Sequence, residues 1–119
     1  MTQGPAFDVR LFTEEMDALQ ILATPHRETI QRIVDEHGSL SNAAPSELFD
    51  VMVALGVLVK VQSDLIELTS CWLKSSTGGR NRPLRRLLRT ELRAAKRQLR
   101  VFTSLRQTLI DLVAEPIVL

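Results

Sequence analysis

Arginine recurs in one stretch of the chain at intervals that a helix would turn into a line. Arg86, Arg89, Arg93, Arg97 and Arg100 are three, four, four and three residues apart, which sets them on one helical face. Fourteen steps at about 1.5 Å each make that line roughly 21 Å long. Arg80 and Arg82 lie just upstream as a lead-in. Between Arg80 and Arg106 ten basic residues stand against one acid, Glu91, and nine of the ten are Arg. Guanidinium groups bind phosphate and carboxylate through paired, planar hydrogen bonds. The chemistry on offer is therefore anion binding.

Three kinds of anion fit such a row. A nucleic-acid backbone would be held by several phosphate contacts, with strong salt dependence and little sequence preference. An acidic protein surface would serve as well, whether another protein's or the chain's own. From Met1 to Gly79 there are five basic and eleven acidic residues, a net charge of −6, against +9 for the ten bases and one acid from Arg80 to Arg106. Phospholipid is the third, and it fits less well. The apolar face of the same segment has no Trp and is spaced as a seam, and no apolar run approaches the roughly 20 residues of a membrane span.

Other chemistries find little support. Cys71 is the single cysteine, so no internal disulfide framework exists, which suits a cytoplasmic protein. His26 and His37 stand apart, without the paired Cys or His/Asp sets of a metal site, and read as helix-end residues. Gly78-Gly79 has neither the preceding strand nor the following Lys-Ser/Thr of a phosphate loop. Trp72 reads as core. No catalytic residue, metal or cofactor is expected, and the chain reads as a non-enzyme.

The elements that must position the arginines follow from the pattern. Residues 1–10 form an arm. Thr13 caps a helix to about Ala23, with Leu11, Ala18, Leu19 and Leu22 on one face. Thr24-Pro25 restarts a second helix that ends at Gly38. After a polar loop, Pro45-Ser46 opens a third helix, which Gly56 stops. The runs 57–61 and 65–68 are rich in β-formers and read as a hairpin around Gln62-Ser63-Asp64. Thr69 caps a short helix through Trp72 and Leu73. Residues 75–82 form a hinge, and Pro83 begins a final helix to about Ala114. Leu88, Leu92, Ala95, Leu99, Phe102, Leu109 and Val113 make a heptad seam along it, with Arg106 the one break. A partner copy is the simplest cover for that seam. The expected fold is mainly α with a β-hairpin: a winged helix-turn-helix-like domain at 11–74 and a long dimerisation helix at 83–114.

The stretch Leu22 to Val34, LATPHRETIQRIV, resembles the second-helix signature of ArsR-type winged-helix repressors. LFDVMVALGVLVKV, Leu48 to Val61, resembles their recognition helix running into the first wing strand, and IELTS resembles the close of the wing. The resemblance implies a homodimeric DNA-binding regulator of transcription. It covers roughly Leu22 to Thr69, and only Ser39 to Ala44 stands where the first helix of the helix-turn-helix belongs. The outward positions of the recognition helix, Glu47, Asp50, Val51 and Ala54, include none of the Arg, Lys, Asn or Gln that read base edges. DNA contact would fall to the arginine row. ELFDVMVALGVL is also similar to the N-terminal dimerisation domain of small-molecule methyltransferases, a winged helix that binds no DNA. The alternative function is a protein-interaction module, a degenerate winged helix whose basic helix docks an acidic partner.

Overall fold

The computed structural model describes residues 9–75 and 82–114. Most of the expected arm and hinge, and Arg80, lie outside the described residues. Three long helices follow one another: α1 (Val9–His37), α2 (Pro45–Ser75) and α3 (Arg82–Ala114), with a single 3-10 turn at Leu40–Asn42 between the first two. No strand occurs among the described residues. The expected hairpin, and with it the winged helix, is therefore replaced by an all-α fold.

The reason lies in α2. Its buried residues include Leu48, Val51, Leu55, Leu58, Gln62, Leu65 and Thr69, alternately three and four apart. That spacing runs unbroken through the segments that read as strands, so one helix can present the whole set to a single side. A strand from Val57 would have turned Leu58 away from Val57 and Val61, and the seam would have been cut. Gly56 does not stop the helix. A Cβ built at Gly56 would lie 3.6 Å from Nε of Arg106 on α3, so the glycine sits where the arginine that interrupts the α3 seam crosses α2.

Likewise α1 is one helix, with Pro25 inside it, where a break had been expected. The proline withholds an N–H from the carbonyl of Ile21, at a cost of about 3 kcal/mol for a helix interior. Ala23 and Ile33, on either side of it, are both fully buried in the same core, which requires both halves of the helix to face α2. Pro25 itself is exposed. Gly38 ends α1 with a φ of 78° and an N–H donated to Val34 O at 2.8 Å, the left-handed residue a helix end favours.

The turn that follows is closed by side chains. Asn42 Nδ2 donates to His37 O at 3.2 Å. Glu47, in the first turn of α2, accepts the backbone N–H of Ala44 at 3.2 Å and lies 2.9 Å from His37 Nε2. It thus caps α2 and holds the end of α1 at once. At the far end of the pair Phe12 meets Trp72 edge to face, with ring centres 6.2 Å apart. The two ends fix α1 antiparallel to α2. Helix α3 packs antiparallel on α2 as well, because Gln62 Nε2 donates to Ala95 O at 3.2 Å while Gly56 faces Arg106. One core joins Ala23 and Ile33 of α1, the α2 seam and Leu109 of α3, with Phe102, Leu105 and Val113 beside it.

Two predictions follow from these contacts. At 3.6 Å an added methyl meets ordinary van der Waals contact, so Gly56→Ala should raise stability by about 0.5–1 kcal/mol through helix propensity. A lower denaturation midpoint would contradict a continuous α2. The hydrogen bond with His37, then that from Ala44, holds the Glu47 carboxyl below its ordinary 4.5. Its stabilising share is complete above that value and fades as pH falls through the lowered one. The gap in stability between the native chain and Glu47→Gln should shrink below pH 4.5, and parallel acid-unfolding curves would contradict it.

Candidate nucleic-acid interface

The first half of α3 carries the arginines. Pro83 lacks a donor that a helix start leaves unused, and its fixed φ suits the first turn. Leu88 and Ala95 are buried, while Leu92, Leu99 and Phe102 are half-buried on the same side. That side faces α2, and Leu109 and Val113 continue it into the common core. Leu88, Ala95 and Leu109 are therefore covered within the chain, and Leu92, Leu99, Phe102 and Val113 are covered in part. The need for a partner helix rested on an uncovered seam, and α2 supplies that cover.

With the seam turned inward, the arginine row is turned outward. Arg82, Arg86, Arg89, Arg93, Arg97 and Arg100 are all exposed. Arg82 belongs to the helix rather than to a loose lead-in. Arg85, which the row did not include, is half-buried between the two faces, and its Nε is a buried N–H with no partner. Its position three residues before Leu88 and seven before Leu92, in line with the seam, is the signal that marks it. Together Arg82, Arg85, Arg86, Arg89 and Arg93 line a surface recess of about 500 Å³.

The electrostatics of this face are one-sided. The ion pairs among the described residues are Arg10–Glu14, Arg32–Glu36, His37–Glu47 and Lys60–Asp64. None reaches α3, so no described acid pairs with the row within one copy. The first turn of α3 has no acid, and the positive end of the helix dipole adds to the charge there. Arg85–Arg89, Arg89–Arg93 and Arg93–Arg97 are like-charged pairs four residues apart, each costing about 0.2–0.5 kcal/mol. A face so arranged is repulsive alone and relaxed by an anion.

The other candidates take different places. Of the expected base-reading positions, Val51 and Ala54 are buried and Glu47 is the cap. Glu36, His37 and Glu47 bring three possible metal ligands within 4.8 Å of one another. There His37 pairs with Glu47, and Arg32 lies 3.5 Å from Glu36, so the group already serves the helix ends. Cys71 is exposed. No helix among the described residues is long and apolar enough to cross a membrane.

No family model matches the chain, and neither the curated proteins nor the solved structures include a match to it. The ArsR-type and methyltransferase-domain resemblances both imply a wing, and residues 57–68, which would form it, are helical.

Proposed function

We propose that this chain binds a nucleic-acid backbone through the exposed arginine face of α3. The observation that carries the reading is a row of guanidinium groups, outward on one rigid helix, with no ion pair to any described residue. The stripe from Arg86 to Arg100 spans roughly 21 Å, the length over which one strand of a duplex presents about six phosphates. Arginine suits that task because its fork bonds two phosphate oxygens at once. Buried Val51 and Ala54 leave α2 without a base-reading face, so binding should tolerate sequence. Regulation of transcription would then come from occupancy rather than from base readout by this domain.

Five phosphate contacts imply that the logarithm of affinity falls with that of salt at a slope of about −4 to −5, a loss of a few hundred-fold between 50 and 200 mM. Titrating labelled DNA and RNA at the two concentrations should show it. The variant Arg89→Gln/Arg93→Gln/Arg97→Gln should flatten the slope to about −2. It should also melt higher than the native chain at low salt, because it removes like-charged neighbours. Absence of binding to both nucleic acids at 50 mM salt would overturn the proposal. A lower melting point in the variant would show instead that the arginines are held by the chain's own acids.

A further inference from the structure

Helices α1 and α3 both pack on α2, and a cleft of about 290 Å³ opens where the three meet. Its α3 wall is Glu91, Ala94, Ala95 and Gln98, spaced as one helical face. The two alanines keep that wall short and leave the space open. On the α2 side lie Gln62, Leu65 and Thr69. Gln62 and Thr69, 4% and 1% exposed, are the two buried polar residues among those described, and both fall at this one place. Gln62 bonds the Ala95 carbonyl through Nε2. Thr69 makes no side-chain hydrogen bond among the described residues. Buried polar groups ordinarily have partners, so a cleft that gathers such groups has hydrogen bonds left to give.

Charge enters from the other two helices. Arg27 of α1 lines the cleft, and its Nη1 donates to Gln20 Oε1 at 2.9 Å. Glu91 of α3 lines the same cleft. Neither belongs to an ion pair among the described residues. A cation and an anion thus share one cleft without pairing. Met16 and Leu65 add apolar surface beside them. The volume is close to the lower bound of about 300 Å³ for small-molecule sites, so the occupant is small. It needs an anionic group for Arg27, a cationic group for Glu91 and an apolar part. A free amino acid has all three.

We propose that this cleft binds a free α-amino acid with an apolar side chain. Its carboxylate accepts from Arg27 and its ammonium donates to Glu91, both as charge-assisted bonds. Its side chain lies against Met16 and Leu65, and the Thr69 hydroxyl completes the polar contacts. The ligand joins α1 to α3, which otherwise meet across α2. This site stands apart from the arginine row, since neither Arg27 nor Glu91 belongs to that row.

Calorimetric titration of the full chain with each standard α-amino acid in turn tests it. At least one with an apolar side chain should bind, more tightly than the acidic and basic ones, and should raise the melting point. Backbone amide signals should move at Thr69, Ala94 and Ala95. Removing the amino group from the best ligand should weaken its binding to the native chain about ten- to hundredfold, the worth of one hydrogen bond to a charged group. The same change should cost nothing in Glu91→Gln. Removing the carboxylate should likewise cost the native chain but not Arg27→Gln. Arg27 and Glu91 are both exposed, so each variant should keep native helical circular dichroism. Glu91→Gln retains every arginine of the row and should still bind nucleic acid, so the two proposals fail separately. Absence of binding by every amino acid at millimolar concentration overturns the inference. So does a native chain that takes the deaminated ligand as well as the amino acid, or shifts confined to residues outside the cleft.

Discussion

Helix α2 has more apolar surface than one neighbour can cover, and that constraint shapes the molecule. Its seam from Leu48 to Thr69 is flanked by Ala54 and Val61, which are also buried. Each Val or Leu fully buried there is worth about 1.5–3 kcal/mol. Val57, Val59 and Ile66 reduce helix propensity by only a few tenths of a kcal/mol each relative to better helix formers. Burial therefore decides the conformation of the segment, and local preference does not. Two more amphipathic helices are required to shield α2, and α1 and α3 are those helices. The interior proline of α1 is tolerated for the same reason, since Ala23 and Ile33 must both reach α2.

The parts of this fold that were legible in the sequence carry period and punctuation together. Helix α3, Arg82–Ala114, is helical throughout its expected span, because a sustained heptad pattern marks it. Gly38 marks the end of α1. The middle of the chain misleads, because VLVKV and LIEL are short apolar runs that suit a strand or a buried helix equally. Gly56 and the absence of a charged residue between Val51 and Val59 gave no local sign of continuity. The sign was non-local: Leu55, Leu58, Gln62 and Leu65 keep the phase of Leu48 and Val51. Thr24-Pro25 misled in the same way, since its capping pattern is local and the core contact that overrides it is not.

The arginine face was legible as a stripe but not as a free surface. Whether its charges were neutralised depended on where the acids of α1 and α2 would point. Glu14, Glu36, Glu47 and Asp64 pair within their own helices or across the α1–α2 turn, and no described acid forms an ion pair with α3. Gln62 binds the Ala95 carbonyl and so helps hold α3 with its leucines inward. The same placement turns the guanidinium groups outward. Core packing and the proposed anion binding thus lie on two sides of one helix.

The central claim is that residues 57–68 form an uninterrupted part of a helix buried on two flanks. Backbone chemical shifts of the folded chain, measured by NMR, test it most directly. The account predicts helical carbon shifts at every residue from Val57 to Leu68, with Leu58, Val61 and Leu65 among the slowest amides to exchange. Strand-type shifts on either side of a turn at Gln62-Ser63-Asp64 would contradict it.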